Sequence, residues 1–331
     1  ETVYTALQSL ASIGAVLWDL QVPVAPHPER HLRAKISRIG DRDLRNRELA
    51  KLDDLELILG TVRAAQGDVP KLNERMATLE THFETLTDAR PTRLAGKTYV
   101  GRTVTYLDCR RDVELQLGGE LCAQLAPPLP LILESVRWYT YAVTQHVHRL
   151  ASNIYKLSTP GSDQQPLPLR YLMAKLGAAI KSSDPVNQTS ELLIAKWSNV
   201  LQFADDARFV QFEAADLRDM VHREFAAPGP GMPTARMHSP DIMIAANGIG
   251  AIRRGDYLFV LGETHVATNT LLQTPFVDQH PDPSVLFEAD RRNLGQPRST
   301  AIISRDHVGQ RVAPINLTPD GLHIGVNGTP S

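Results

Sequence analysis

Two cysteines in 331 residues, Cys109 and Cys122, are too few for a disulfide framework, and no CxxC pair or zinc-ribbon spacing surrounds them. Both are expected to be reduced and structural. No run approaches the roughly 20 apolar residues that a membrane helix needs, and the opening ETVYTALQSLASIG lacks the basic flank and apolar core of a signal peptide. A cytoplasmic location is the expectation. The glycine-bearing stretches GVNG, GPG and NGIGAIRRG match neither GxGxxG nor GxxxxGK[ST], which excludes the common dinucleotide and P-loop readings. GxSxG is missing as well, so a serine-hydrolase nucleophile has no support. There is no internal repeat and no low-complexity segment.

What is present is an ordinary globular composition, 42% hydrophobic and 22% charged with a formal net charge of −2, enough for one large core or two modest ones. The average hides two basic stretches. From Arg30 to Lys51 eight Lys or Arg face three acids, a net charge of +5, and Arg90 to Arg111 also reaches +5. Such patches attract phosphate, although solvated helix faces collect the same residues.

Apolar periodicity sets out the elements. Val3, Leu7, Leu10 and Ala11 predict a helix closed by Gly14, and VLWDLQVPV (Val16–Val24) reads as a strand, a pairing that resembles the end of a winged-helix unit. Pro28 and Glu29 open a further helix. The sets Leu52, Leu55, Leu59, Val62 and Leu72, Met76, Leu79, Phe83, Leu86 predict a helical hairpin broken at Gly67–Pro70. Tyr99–Leu107 and Val113–Leu117 read as strands, with a turn at Gly118-Gly119. A long helix carrying Leu129, Leu133, Val136, Val143, Val147 and Leu150 follows, then a loop from Ser158 to Pro168 and helices around Glu191–Phe203 and Asp216–Phe225. From Asp241 onward IMIAA, YLFVLG, AIIS and Leu322–Val326 have strand texture. The fold class expected is α+β, with helices and mainly antiparallel strands in blocks. The expected divisions are a winged-helix remainder at 1–40, the helical hairpin at 41–90 and an α+β part at 91–331. With no initiator Met and a start inside a helical pattern, the chain is expected to be a fragment of a longer polypeptide.

Chemistry concentrates between Tyr99 and Trp138, where Arg102, Asp108, Arg110, Arg111, Asp112 and Glu114 crowd together. Guanidinium groups beside carboxylates can hold an anionic substrate next to a proton-transfer group, or can simply pair across a hairpin. A second candidate is GETHVATN with Asp278, His280 and Asp282 beyond it. Glu263 and His265 are two apart, and on a strand they share a face that could meet one metal ion, with loop-fixing polar residues as the structural alternative.

The stretches YVGRTVTYLDCRRDVELQLGGELCAQLAPPLPLILESVRWYTY, LTDARPTRLAGK, HSPDIMIAA, RRGDYLFVLGETHVATNTLL and FVDQHPDP together resemble the actinobacterial lantibiotic (class I lanthipeptide) dehydratases. The likeness runs over nearly the whole chain and is strongest at 90–141 and 237–283. It implies the middle and later part of a domain that transfers glutamate from glutamyl-tRNA to Ser and Thr of a precursor peptide, before elimination to dehydroalanine or dehydrobutyrine. Neither the family's early arginine-rich motif nor its elimination domain has a match.

The resemblance also implies roles. Asp112, with Asp108 as second choice, would orient the substrate hydroxyl or glutamyl amine, and Arg111 completes the expected catalytic set. Arg102 and Arg110, with Arg93, Lys97, Arg33 and Arg38, would bind the tRNA or substrate. Glu263, His265 and Asn269 form a possible second site. No metal or other cofactor is expected, glutamyl-tRNA being the co-substrate. The expected partners are the leader and core of the precursor peptide, glutamyl-tRNA and an elimination domain in the same parent chain or a separate subunit, with a homodimer as a further candidate and no membrane span. Leader contact would use strand addition at Val16–Val24. The fragment alone is expected to be inactive, and a non-catalytic peptide- or tRNA-binding homologue and a metal-dependent enzyme using Glu263 and His265 are the alternatives.

Overall fold

The computed structural model describes residues 2–12, 15–16, 22, 27–92, 103–110, 114, 116–161, 166–204, 206–266, 274–294, 299–302 and 322–325. The chain divides into two compact units, one mainly Glu1–Cys109 and the other mainly Arg110–Ile302. Both helix and strand are present, as an α+β chain requires.

In the first unit α1 (Thr2–Ser12) ends where the amides of Ala15 and Val16 turn back to the Leu10 carbonyl, at 3.0 and 3.4 Å. Val16 therefore closes a helix rather than beginning a strand. Most of the strand predicted to follow it lies outside the described residues. The next helix, α2 (Pro28–Ile36), has Pro at its first position, where the missing N–H costs nothing. Asp41 starts α3 (Arg42–Ala64) by accepting from the amides of Asp43 and Leu44, and Asp68 starts α4 (Val69–Thr87) by accepting from Lys71 N. The expected apolar stripes face inward, with Leu52, Val62 and Leu79 buried beside Ile36 and Ala65.

The second unit is organised around α6 (Leu129–Ser158), a helix of 30 residues that packs on α7 (Leu169–Ser183), α8 (Pro185–Val200) and α9 (Ala214–Glu224). Leu131, Val200, Val221 and Phe225 form its core, and Trp138 and Trp197 pack against it. The Phe225 ring lies 5.8 Å from Trp138 and 5.0 Å from Trp197 between centroids. Because α6 meets three helices, burial spreads around its circumference. Leu131, Ser135 and Thr144 are its buried positions, while the six apolar residues expected to line the core are half-buried. The α7 helix was not anticipated from the sequence.

Two expectations are corrected ahead of α6. Residues 103–110 form no strand, and neither do 114 and 116–118. Thr103 Oγ1 donates to the carbonyl of Thr105 at 2.6 Å, a local bond that competes with extended pairing. Gly118 and Gly119 do not turn one strand into another but open α5 (Gly119–Leu125). Cys109 and Cys122 are both free and both exposed.

Strands β1 (His238–Ala245) and β2 (Leu258–Val266) pair antiparallel, with α10 (Ile249–Arg253) between them. The short β3 (Ser299–Ile302) and β4 (Leu322–Gly325) pair parallel, while the longer β1–β2 pair is antiparallel as expected. Helices α11 (Thr274–Gln279) and α12 (Pro283–Leu294) occupy a region that reads as β in the sequence. Pro283, the Asp282 carboxylate and the Glu288–Arg292 pair at i,i+4 supply the local signals for α12. Among the described residues no helix is long and apolar enough to cross a membrane.

Candidate functional site

Arg110 is exposed on an irregular segment, and its Nη1 donates to the backbone carbonyl of Gln279 at 3.0 Å. That carbonyl belongs to the last residue of α11, where a helix leaves carbonyls unbonded and carries partial negative charge. A guanidinium suits the position. It joins residues 169 apart in the chain, and it leaves other N–H donors of Arg110 for a carboxylate or phosphate. Gln279 was missed from the sequence because its side chain contributes nothing to the bond.

Immediately after Gln279 the chain is fixed by its own polar groups. His280 Nδ1 accepts from Asp282 N at 3.0 Å, which places the ring N–H on Nε2. Asp282 Oδ1 accepts from Ser284 Oγ at 2.5 Å and Ser284 N at 3.1 Å. Those two bonds hold the Asp282 carboxyl below its ordinary range. The result is a rigid His-Pro-Asp-Pro turn that presents His280 beside the α11 terminus.

The other expected site residues are dispersed. Asp108 is described and exposed, and it has an interaction of its own. Arg111, Asp112, Arg102, Arg93 and Lys97 lie outside the described residues, as does Asn269. Arg33 is already engaged: its Nη2 lies 2.6 Å from Asp53 Oδ1 and 2.9 Å from Glu56 Oε2. Hydrogen bonds to those two acids raise its pKa further, tying α2 to α3. Arg47 and Lys51 pair with Glu48, which depresses that carboxyl, and Arg45 donates to the Ile39 carbonyl. Among the described residues Arg30, Lys35, Arg38 and Arg42 have no ion pair.

On β2 the expected shared face is present, with His265 Nε2 3.4 Å from Glu263 Oε2. A third group, unforeseen in the sequence, is Asp241, whose Oδ2 is 3.7 Å from the same nitrogen. The register of β1 on β2 shifts between Pro240 and Ile242, and this bulge re-aims Asp241. Pro240 has no N–H to lend the ladder, which makes the break local and cheap. Both carboxylates lie toward one imidazole nitrogen, at distances longer than an ordinary hydrogen bond. Among the described residues no group of three or more His, Cys, Asp or Glu is placed to hold a metal.

Comparison with protein-family models, curated proteins and solved structures finds no match to this chain.

Proposed function

We propose that this chain is part of a peptide dehydratase that glutamylates Ser and Thr residues of a ribosomal precursor peptide from glutamyl-tRNA. What supports the reading is the resemblance of two long segments to the lantibiotic dehydratases, together with the Arg110–Gln279 hydrogen bond that brings those segments together. The chemistry gives such a site a defined task. A hydroxyl is a poor leaving group, and esterification turns it into a carboxylate that leaves readily.

In the transfer, the Ser or Thr oxygen forms a bond to the glutamyl carbonyl carbon, the ester bond to the terminal ribose oxygen of the tRNA breaks, and the hydroxyl proton ends on that ribose oxygen. Arg102, Arg110 and Arg111 contact the tRNA acceptor end in this reading. Asp112, or Asp108 in second place, orients the hydroxyl or the glutamyl amine. Arg30, Lys35, Arg38 and Arg42 attract the tRNA backbone, and Glu263, His265 and Asn269 form a second polar site. Leader binding at Val16–Val24, a cytoplasmic location and an elimination domain in the parent chain or a separate subunit belong to the same proposal.

The test is mass spectrometry of the cognate precursor peptide after incubation with the parent enzyme and glutamyl-tRNA. A glutamyl adduct that disappears in Arg111→Ala and Asp112→Ala is expected, and an adduct that persists in both would sink the assignment. Binding to tRNA should weaken steeply with salt, and less steeply once Arg30, Lys35, Arg38 and Arg42 are changed to Gln. Salt-independent binding overturns the role of this stretch.

A further inference from the structure

The second unit contains a recess of about 600 Å3 lined by Tyr141, Gln145, the Pro228–Pro233 loop, Arg236 and Leu294. Its size lies in the range of small-molecule sites. Tyr141 and Gln145 are four residues apart on α6, so they stand on one face of the helix one turn apart. The opposite wall is fixed by a glycine. Gly231 has φ +82°, and a Cβ built there would lie 2.7 Å from Tyr141 Cα, 2.9 Å from the Thr140 carbonyl and 2.9 Å from Thr144 Cβ. Only glycine lets the loop approach α6 so closely. Pro228, Pro230 and Pro233 stiffen that wall, and buried Ala235 anchors the turn that ends at Arg236.

The polar groups of the recess are uncommitted. Among the described residues Arg236 has no ion pair, and the Tyr141 hydroxyl and the Gln145 amide have no hydrogen-bond partner. Arg236 is the single charged residue in the lining. One guanidinium with a phenol and an amide as further donors suits a carboxylate, whereas a phosphate dianion calls for more than one cation. The remaining lining, from the prolines, Met232 and Leu294, suits an apolar or aromatic group.

We propose that this recess is a binding site for a monocarboxylate with an apolar side group, the carboxylate held by Arg236 and the apolar part lying between the proline loop and Tyr141. The carboxylate can come from a free acid or from the C-terminus of a peptide, and the two differ in how much chain the open side of the recess must accept. The site is independent of the glutamylation reading and stands or falls without it.

The experiment is a calorimetric titration of the full chain with N-acetyl-phenylalanine, N-acetyl-phenylalaninamide and acetyl-Ala-Ala-Ala-Phe with a free C-terminus. At least one of the two acids should bind at least about tenfold more tightly than the amide, reflecting the charge-assisted bond. Preference for the single residue identifies a free acid, and preference for the tetrapeptide identifies a chain terminus. Arg236→Gln should abolish the preference for acid over amide, and Arg236→Lys should retain part of it. Gly231→Ala should weaken both ligands, with circular dichroism separating a distorted wall from an unfolded chain. Equal affinity for acid and amide, unchanged acid binding in Arg236→Gln, or no binding of either acid at millimolar concentration overturns the proposal.

Discussion

Arg110 donates from Nη1 to the carbonyl of Gln279 at 3.0 Å across a separation of 169 residues. Because this bond is exposed, its contribution to global stability is small, about 1 kcal/mol at most. Its importance is positional. Arg110→Ala is expected to leave the melting temperature nearly unchanged while the glutamyl adduct on the precursor peptide falls sharply, with Arg110→Lys intermediate. Full adduct formation in Arg110→Ala, read by mass spectrometry with the parent enzyme, would remove Arg110 from the site.

Phe225 is 3% exposed and holds two tryptophans around it. Lys196 adds to the cluster, with Nζ 5.1 Å from the Trp138 centroid and bonded to the Glu224 carbonyl at 2.6 Å. Truncating Phe225 to Ala removes the common partner of both rings and leaves a cavity, at a cost of about 3–5 kcal/mol. Urea denaturation followed by tryptophan fluorescence reads both the lost stability and the altered ring environment. A loss below about 1 kcal/mol would show that this core collapses onto itself.

His238 begins β1, and burial lowers its pKa from the ordinary 6.5. Its Nε2 is buried with no hydrogen-bond partner among the described residues. The unfolded chain therefore binds more protons than the folded one below 6.5, so this residue leaves stability unaffected well above that value and opposes the fold as the pH falls past it. Stability of the wild type should drop as the pH falls below 6.5, and His238→Gln should flatten that dependence. Identical pH profiles would refute the assignment.

Asp282 has the opposite titration sense. Its carboxyl is held below 3.8 by Ser284, so its contribution is present above that value and lost as acid protonates it. Asp282→Ala should expose the first-turn amides of α12, which hydrogen exchange at residues 284–287 measures directly. Asp282→Asn should keep part of the protection because an amide oxygen can still accept. Protection that is unchanged in Asp282→Ala would mean that packing, rather than the cap, sets this helix end.

The helical hairpin was legible because local rules decide it: the stripe Leu52 to Val62, the second stripe Leu72 to Leu86, and Asp68 before Pro70 all act within a few residues of one another. The long α6 was legible for the same reason, from Pro127-Pro128 and its apolar spacing. Its buried face was not. Which side of α6 is covered depends on α7, α8 and α9, and α7 itself went unread between a polar loop and the Trp197 helix.

The candidate site divides along the same line. Sequence by itself placed Glu263 and His265 on one face, since alternation in a strand is a property of the backbone. It also marked Arg110 as chemically rich. Only the tertiary structure supplied Asp241, through a bulge set by cross-strand register, and Gln279, through a main-chain carbonyl whose availability exists only at a helix end. Local geometry is written in neighbouring residues; the partners of Arg110 and His265 are chosen by contacts between segments far apart in the chain, which no short-range pattern encodes.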